Sequence, residues 1–473
     1  MKEESIDIYI DRLNLKGKGV GTFRPSESSA ERKVEVIGAL PGDTLRVRLG
    51  KSRRGKCQAD LEQVVSPAPD RVGLRCVHAP SCGGCSWQQW DYSSQLQEKQ
   101  RRIAEIFSPL LQENSQILQT IIPCPDPWQY RNKMEFSFSQ NKAGERFLGL
   151  VIGGSRGHVF HLTECHLVSF WFSNVVACVR DWWNKSTLGA YRMNDTGSLR
   201  TLTVREGKNT GEKLVMLTVS GNPTYKLVKA DLLSFISAVK ASVPEEELGS
   251  LSIFLRIQQQ CKGSVTQFFE MHLFGKDHLK EQLTLPLDPS LQLTFKISPT
   301  SFFQPNTAQA EKLYATALQC VAFPKKHVLD LYAGTSTLGI ALSFSAEKVT
   351  SIEINPHACF DAEVNKELNG AHNLEILCGD VGEQLEQLSQ RTDFIPPDLV
   401  VVDPPRTGLD SAALAHLLAI RAPEILYISC NPATQCTNIQ ELVAQGYVLT
   451  YLQPVDQFPH TLHVEMIALL RLV

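Results

Sequence analysis

Cys430 is the residue of this chain with the clearest capacity for chemistry. It closely follows the apolar run EILYI at positions 424–428, whose length and composition are typical of a buried strand. In open α/β sheets, ligands bind at the carboxyl ends of such strands. A thiolate there can act as a nucleophile and form covalent intermediates. The sequence therefore predicts a nucleophilic thiol at a ligand-binding edge.

A glycine turn and a series of acidic residues mark the same edge of the predicted sheet. The segment 328–340, VLDLYAGTSTLGI, reads as a strand that turns at Gly334 towards a helix, and glycine lets the backbone turn closely against a ligand. Glu353, Asp380 and Asp403 end the next three strands. Glu353 suits hydrogen bonds to ribose hydroxyls, and Asp380 could reach the edge of a base. Any one acid could simply cap a helix, but their recurrence at successive strand ends favours a pocket.

The ligand predicted at this edge is a nucleoside that carries no phosphate. The segment 334–339, GTSTLG, departs from the GxGxxG pattern, so the sequence shows no turn for a pyrophosphate. S-adenosylmethionine contains ribose and adenine without phosphates. It therefore fits these residues better than a dinucleotide does.

The elements that must position these residues alternate between strands and helices. Alternation of this kind predicts a doubly wound α/β sheet with right-handed crossovers. We expect five parallel strands and then a closing pair that no helix separates. The predicted strands lie near 327–333, 348–354, 374–380, 398–403, 424–430, 447–455 and 464–472.

Two further regions precede this sheet. Residues 1–66 contain short β-branched runs punctuated by glycine and proline, which predicts a small β-barrel of a kind that often binds oligonucleotides. Residues 70–290 mix strands and helices and are predicted to form a central α+β domain. Residues 291–473 would then form the sheet described above.

Positive charge is concentrated in two short clusters, although the formal net charge of the chain is only −3. Such clusters can be solvated faces, or they can bind a phosphate backbone in one groove. The sequence leaves both readings open. The first cluster contains Arg46, Arg48, Lys51, Arg53, Arg54 and Lys56, and the second contains Lys99, Arg101 and Arg102.

Four cysteines have the spacing of a metal site. Cys76, Cys82 and Cys85 follow the pattern C-x5-C-x2-C, and Cys165 is the predicted fourth ligand. Four thiolates suit either structural zinc or an iron–sulfur cluster, and the spacing does not distinguish them. The thirteen cysteines form an odd set without a secretion signal, which argues against a disulfide framework.

The N-terminus and the hydropathy of the chain bear on its location. The first ten residues, MKEESIDIYI, lack the apolar core of a signal peptide, and no apolar run approaches the roughly 18 residues of a membrane span. We therefore expect a cytoplasmic protein with no membrane contact, and we expect a monomer.

The motifs together resemble one known family, the RNA 5-methyluridine methyltransferases, in particular the branch that acts on 23S ribosomal RNA and carries a TRAM barrel and an iron–sulfur cluster. The resemblance covers nearly the whole chain, and the motifs are highly specific as an ordered set. They are SPTSFFQPN at 298–306, DLYAG at 330–334, DPPR at 403–406, SCNP at 429–432 and FPHTLHVE at 458–465.

The resemblance implies a role for several residues. Gln304, Tyr332, Glu353 and Asp403 match residues that bind S-adenosylmethionine, and the argument from strand ends adds Gly334 and Asp380. Cys430 matches the nucleophile and Glu465 the general base. The four cysteines match the ligands of a [4Fe–4S] cluster, with zinc as the alternative. The chain departs from the family at Ser336, where a second glycine is common.

The chemistry that the resemblance implies is covalent. A thiolate adds to carbon 6 of uracil, which makes carbon 5 nucleophilic enough to accept a methyl group, and a base then removes the proton from carbon 5. The pocket should therefore lower the pKa of Cys430, aided by the helix that follows it. No role is assigned to His460 or His463, which could orient the substrate or could be core or turn residues.

Three other functions compete with this one. Methylation of tRNA at uridine is the nearest, although tRNA-specific relatives generally lack the barrel and the cysteine segment. RNA 5-methylcytidine methyltransferases typically carry a cysteine in the motif that corresponds to DPPR, and this chain has none there. An iron–sulfur protein that binds RNA without catalysis would need neither Cys430 nor Glu465.

Overall fold

The computed structural model describes residues 5–24, 30–53, 56–112, 114–155, 157–260, 263–285 and 292–473. The chain forms two compact units. The first comprises Met1–Lys99, Ile152–Gly154 and Phe458–Leu462, and the second comprises Gln100–Val151, Ser155–Gln457 and His463–Val473. The three predicted domains, which comprise residues 1–66, 70–290 and 291–473, therefore remain a prediction.

The first unit contains a closed barrel of five strands, with the order β1-β2-β3-β5-β4. Apolar side chains that alternate along the strands, such as Ile8, Ile10, Val34 and Val36, are almost fully buried and form its core. This confirms the N-terminal barrel of the predicted fold. The strands are β1 (Ser5–Leu13), β2 (Gly19–Phe23), β3 (Arg32–Val36), β4 (Thr44–Arg53) and β5 (Lys56–Ser66).

Part of the first basic cluster lies on this barrel and faces acidic partners. The Arg46 guanidinium pairs with Asp7 at 2.8 Å, and Arg48 lies 3.7 Å from Asp60. These acids are distant in sequence but adjacent across the barrel strands, so the run is less positive than its sequence indicates. Arg54 lies outside the described residues, and the side chains of Lys51, Arg53 and Lys56 are likewise not described.

The second basic cluster lies on helix α1 (Tyr92–Leu111) and does not form a continuous exposed patch. Lys99 is fully buried, and its ammonium group donates a hydrogen bond of 3.1 Å to the main-chain oxygen of Phe458. Arg101 forms an ion pair with Glu105 one turn further on. Lys99 is therefore part of neither an exposed solvated face nor an exposed phosphate-binding face, the two readings that the sequence left open.

A six-stranded sheet forms the central α+β region of the second unit, with the order β11-β10-β9-β8-β6-β7. Helices α2 and α3 cover one face, where Phe172, Trp183 and Phe235 pack with Phe136 of the sheet. The elements are β6 (Lys133–Gln140), β7 (Arg146–Gly149), α2 (Phe170–Lys185), β8 (Leu199–Glu206), β9 (Lys213–Ser220), α3 (Lys229–Lys240), β10 (Leu251–Gln259) and β11 (Gln267–Phe274).

The C-terminal part of the second unit is the predicted doubly wound sheet. It has seven strands in the order β16-β15-β14-β17-β18-β20-β19. The first five are parallel, and β20 runs antiparallel to both β18 and β19. This confirms the Rossmann-like class, including the closing pair, and places the reversal of strand order beside β14.

The chain enters this sheet through a hairpin and then alternates between helices and strands. The elements are β12 (Leu279–Thr284), β13 (Gln292–Ile297), α4 (Thr307–Gln319), β14 (Lys325–Leu331), α5 (Thr337–Ser343), β15 (Ala346–Glu353), α6 (Pro356–Leu368), β16 (Leu374–Cys378), α7 (Val381–Ser389), β17 (Leu399–Val402), α8 (Ser411–Ile420), β18 (Glu424–Ser429), α9 (Pro432–Ala444), β19 (Tyr447–Val455) and β20 (Glu465–Leu472). Within the ranges that the structure describes, no helix combines the length and apolarity needed to cross a membrane.

Candidate active site

A cavity of about 440 Å³ lies at the carboxyl ends of β14, β17 and β18. This is the edge at which the sequence predicted a ligand, and it lies where the strand order reverses. Six of the eight predicted catalytic and cofactor residues line the cavity. They are Gln304, Tyr332, Gly334, Asp403, Cys430 and Glu465.

Cys430 lies between the end of β18 and the start of α9. The strand before it is fully buried, and Asn431 caps the helix by accepting a hydrogen bond from the amide of Ala433 at 3.3 Å. The Asn431 side chain also donates to the main-chain oxygen of Arg406 at 2.8 Å. Cys430 is thus a half-buried thiol between two segments that are held together.

The cavity raises the pKa of Cys430, which contradicts the expectation that the pocket would lower it. Burial is the largest cause, and the negative charges of Glu465 and Asp403 act in the same direction. The Arg406 guanidinium lowers the pKa through its charge and a hydrogen bond, but it does not outweigh them. The expectation was wrong because it considered only the following helix and not the acids brought in from other strands.

Glu465 is the first residue of β20, and only 3% of its surface is exposed. Burial raises its pKa to about 8, the charge of Asp403 adds to that shift, and Arg406 opposes it. Burial likewise raises the pKa of Asp403 to about 7, with Asp330 as the second cause. At neutral pH the cavity therefore holds protons that these carboxyl groups would lose in water.

The turn after β14 has an unusual backbone. Tyr332, Gly334 and Ser336 have φ angles of 62°, 57° and 54°, in the left-handed region that favours glycine. A tyrosine held there indicates a conformation that the surrounding structure enforces, as is common where a ligand binds. Tyr332 and Gly334 both line the cavity.

Ser336 occupies the position where the family commonly has glycine, and its hydroxyl has a buried partner. It lies 2.8 Å from the hydroxyl of Ser351, which donates to Asp330 at 2.9 Å. Gly339 allows these groups to converge, because a Cβ there would lie 2.4 Å from both hydroxyl oxygens. The hydrogen bonds can offset the strain of a serine in the left-handed conformation.

The remaining two predicted cofactor residues are outside the cavity lining and have local structural partners. Glu353 ends β15, and its carboxylate accepts hydrogen bonds from the amides of Gly334 and Asn355, both at 2.8 Å. Glu353 therefore fixes the turn that lines the cavity. Asp380 caps helix α7 by accepting from the amide of Gly382 at 2.9 Å, which is the simpler explanation the sequence left open.

Gln304 lies on a loop that is held from several directions. Its side-chain oxygen accepts a hydrogen bond from Gln457 at 3.3 Å, and its main-chain oxygen accepts one from Asn132 at 2.9 Å. The Tyr314 hydroxyl also forms a hydrogen bond with Gln304, and burial raises the pKa of Tyr314. These contacts place a neutral amide, nearly fully buried, in the wall of the cavity.

The sequence assigned no individual role to three residues of this cavity, although Asp330 is one of the acids at the strand ends that indicated a pocket. Tyr314 lies on α4, where nothing in the local pattern distinguishes it from other core residues. Arg406 was visible in the DPPR motif but was given no role, although it contacts the Cys430 sulfur. The Asp330 side chain is buried at the end of β14, and burial raises its pKa to about 7.

The predicted metal ligands are divided between the two units. Cys76, Cys82 and Cys85 belong to the first unit and Cys165 to the second. Burial raises the pKa of Cys82, and the amide of Gly84, which donates to the Cys82 sulfur at 3.3 Å, opposes that rise without outweighing it. Among the described residues, no group of three or more His, Cys, Asp or Glu side chains is arranged to hold a metal ion.

The two histidines before β20 have different environments. His460 is buried in the first unit with a left-handed φ of 63°, and its amide donates to the Gln95 side chain at 3.0 Å. This favours a structural role in the turn. His463 belongs to the second unit and is exposed.

Comparison with known proteins gives a consistent result. Residues 267–472 match the model of a family described as tRNA (Uracil-5-)-methyltransferase. An uncharacterized RNA methyltransferase of Protochlamydia amoebophila is 48% identical over 444 residues, which are 93% of this chain and all of the relative. An uncharacterized RNA methyltransferase of Clostridium acetobutylicum is 33% identical and covers 99% of this chain and 98% of its own length.

A solved structure shares the fold. The tRNA (uracil-54, C5)-methyltransferase of Pyrococcus abyssi, determined in complex with S-adenosyl-L-homocysteine, aligns with a TM-score of 0.71 and 24% identity. The alignment covers 98% of this chain and all of the archaeal one. The architecture of this chain is therefore that of a known methyltransferase over nearly its whole length.

Proposed function

Because the chain belongs to the RNA (uracil-5-)-methyltransferase family, we propose that it transfers a methyl group from S-adenosylmethionine to carbon 5 of a uridine in RNA, with Cys430 as the covalent nucleophile. One observation carries this proposal. A single cavity contains the Cys430 thiol, the Glu465 carboxyl group and the polar residues Gln304 and Asp403. The residues proposed as nucleophile, base and cofactor contacts thus line the same cavity.

The residues of the cavity fit the proposed cofactor. S-adenosylmethionine would supply a methyl group on a positively charged sulfonium. Glu465 is a buried and Asp403 a half-buried carboxyl group, and loss of solvation is the main cause that raises both pKa values. A positive ligand would favour their negative forms. Gln304, Tyr332, Gly334 and Asp403 are proposed to contact the cofactor directly. Glu353 would act at least by holding Gly334, and Asp380 is the weakest member of the set.

Cys430 is proposed to add to carbon 6 of the uracil ring. Its sulfur donates an electron pair to carbon 6, and the electrons of the 5,6 double bond move to give an enolate that is nucleophilic at carbon 5. Since the pKa of Cys430 is raised, the thiol must lose its proton to solvent as the complex forms. Arg406 would favour the thiolate, because its guanidinium is positively charged and contacts the sulfur.

Glu465 is proposed to complete the reaction after carbon 5 has received the methyl group. Its carboxylate takes the remaining proton from carbon 5, the electrons of that bond restore the double bond, and the sulfur leaves carbon 6 with its electron pair. A pKa of about 8 gives the carboxylate more basicity than an ordinary glutamate has. Glu465 must be ionised to remove the proton from carbon 5. The charges of the neighbouring groups in the cavity therefore affect the rate of this step, because they shift the pKa of Glu465.

The proposed RNA is 23S ribosomal RNA. The target uridine must leave its stacked position, because carbon 5 cannot reach a buried thiol from within a helix. The N-terminal barrel is proposed to be a TRAM-like domain that holds the RNA backbone. The cysteine segment supports the ribosomal substrate through the family resemblance, whereas the barrel does not distinguish the two substrates, because the tRNA enzyme of Pyrococcus abyssi aligns with 98% of this chain. Transfer RNA is the second candidate, since the matching family model and the archaeal structure are both named for tRNA.

A [4Fe–4S] cluster bound by Cys76, Cys82, Cys85 and Cys165 is a further part of the proposal, with zinc as the alternative. Its support is the chemistry of four thiols and the amide of Gly84 that donates to Cys82. No step of methyl transfer depends on it. Stoichiometric iron and acid-labile sulfide in anaerobically purified protein would support the cluster, and stoichiometric zinc without sulfide would overturn it.

Incubation with methyl-labelled S-adenosylmethionine and unmodified transcripts tests the function. We expect 5-methyluridine in digests of 23S ribosomal RNA, detected by mass spectrometry, and none with the Cys430→Ala variant. Product in tRNA alone would establish the second candidate. Labelled 5-methylcytidine, or no transfer to either RNA, would overturn the proposal and point to the cytidine enzymes or to a non-catalytic protein.

A further inference from the structure

Cys359 and Cys378 form a pair of thiols beside the strand end that carries Glu353. Cys378 ends β16, directly next to Glu353 in the parallel pair of β15 and β16. Cys359 lies on the first turn of α6 and donates from its sulfur to the main-chain oxygen of Glu353 at 3.2 Å. Both thiols therefore lie against Glu353, and Cys378 is close enough to Cys359 to raise its pKa.

The two thiols differ in their access to solvent. Cys359 is 7% exposed, whereas Cys378 is an exposed residue. Burial raises the pKa of Cys359 to about 12, and its contact with Cys378 adds to the shift. A small oxidant would therefore meet Cys378 first, with a protonated second thiol already in contact behind it.

We propose that Cys359 and Cys378 are a modification site at which peroxide forms a disulfide, and that this disulfide weakens cofactor binding in the adjacent cavity. The thiolate of Cys378 attacks one oxygen of hydrogen peroxide, which gives a sulfenic acid and hydroxide. The Cys359 sulfur then attacks that sulfenic sulfur and releases water. Two thiols are oxidised, and one peroxide is reduced to two molecules of water.

Glu353 connects this pair to the cavity. Its main-chain oxygen accepts hydrogen bonds from the Cys359 sulfur and from the amide of Gly379, the latter at 2.9 Å. Its carboxylate holds the amide of Gly334 in the turn that lines the cavity. A disulfide removes the sulfur donor and requires the two sulfurs to approach to about 2.05 Å. We therefore expect formation of the disulfide to displace the main chain at Glu353 and the turn that its carboxylate holds.

The proposed disulfide rests on the proposed function only for the identity of the cofactor. The test therefore measures the formation of the disulfide separately from its effect on cofactor binding. A Cys430→Ala background removes the proposed nucleophile as a competing target. Reduced protein is treated with hydrogen peroxide, and digestion without reductant is followed by mass spectrometry. We expect a linked peptide pair that contains Cys359 and Cys378 and has lost two hydrogens. No such pair, at peroxide levels that oxidise other exposed cysteines, would overturn the site.

Calorimetry of S-adenosylhomocysteine binding measures the consequence. We expect oxidation to weaken binding by at least about fivefold, the lower end of coupling between sites, and dithiothreitol to restore it. The matched control is Cys378→Ser, which should bind with the affinity of the reduced protein and be insensitive to peroxide. Loss of affinity in this control would assign the effect to another residue. A linked pair with unchanged affinity would overturn the coupling, whereas failure of the reduced protein to bind would count against the proposed function instead.

Discussion

The barrel and the cavity use the same charged residue types in opposite ways. On the barrel, Asp7 and Arg46 are about half exposed, and the hydrogen bond from Arg46 lowers the pKa of Asp7. In the cavity, Glu465 is buried and Asp403 is half-buried, and loss of solvation raises the pKa of Asp403 to about 7 and that of Glu465 to about 8. The difference lies in access to water, since solvent stabilises charge on the barrel and its loss destabilises charge in the cavity.

The charges of the barrel and of the cavity therefore suit different roles. Charges on the barrel persist at all physiological pH values and are screened by salt, which suits contact with a phosphate backbone. Charges in the cavity depend on what is bound beside them, which suits proton transfer in a reaction. Substitutions in the cavity should therefore act on chemistry, and those on the barrel should act on RNA affinity.

The largest expected effect is that of Cys430→Ala. Removal of a covalent nucleophile should lower kcat by at least about 10⁴-fold, as losses of this kind do in other enzymes. Single-turnover transfer of labelled methyl groups to RNA measures it. The matched control is Cys436→Ala, on the second turn of the same helix, because the Cys436 thiol is buried and donates to the main-chain oxygen of Ile106. Equal losses in both variants would contradict a chemical role for Cys430.

The pH dependence of kcat/KM should show the raised pKa of Glu465. The carboxylate is the active form and its pKa lies near 8, so the active fraction is small at pH 6 and grows as pH rises. We expect kcat/KM to increase by at least about tenfold per pH unit from pH 6 to 7, because the Cys430 thiol, whose pKa is also raised, must ionise as well. RNA binding measured separately over the same range serves as the control. A rate that is constant from pH 6 to 8 would contradict the raised pKa or the role of the base.

A smaller effect is expected for Gly339→Ala beneath the cavity. The added Cβ would lie 2.4 Å from the Ser336 and Ser351 hydroxyl oxygens and 2.8 Å from Asp330. Overpacking of this kind should lower the free energy of unfolding by about 1–3 kcal/mol, measured by denaturant titration. Gly249→Ala is the control, because a Cβ there meets open space. Equal stability of the two variants would show that the Ser336 and Ser351 hydroxyl groups can move away from the added Cβ at little cost in free energy.

The smallest effect is expected on the barrel. Arg46→Ala should weaken RNA binding a few-fold and lower the slope of log affinity against log salt by about 0.9 if Arg46 contacts one phosphate. Methyl transfer at saturating RNA should remain unchanged. Asp7→Asn is the opposing control, because it removes the acid that pairs with Arg46 and should leave affinity equal or higher. Unchanged affinity and slope in Arg46→Ala would remove this residue from the RNA-binding surface.

Sequence patterns predicted the sheet and the position of Cys430 because both depend on local periodicity. Strand ends are visible as apolar runs, and each strand end lies at the same edge of a parallel sheet. The direction of the Cys430 pKa shift could not be predicted in this way. It depends on Glu465 and Asp403, which reach the thiol only after the strands have assembled.

The same reason explains other differences between prediction and structure. The sequence places Lys99 in a basic cluster. In the structure Lys99 is buried, and it donates a hydrogen bond to Phe458, which is more than 350 positions away in sequence. The acids that face Arg46 and Arg48 come from other barrel strands. Burial and long-range pairing, which decide the energy of a charge, are properties of the folded chain.

The covalent bond between Cys430 and uracil is the central claim, and the Glu465→Gln variant tests it most directly. Without a base, the proton on carbon 5 cannot be removed, so the sulfur should remain bonded to carbon 6 after methyl transfer. Mass spectrometry of the variant incubated with S-adenosylmethionine and RNA should find a methylated uridine attached to the peptide that contains Cys430. Normal turnover by the variant, or a nucleotide attached to a different residue, would contradict the account.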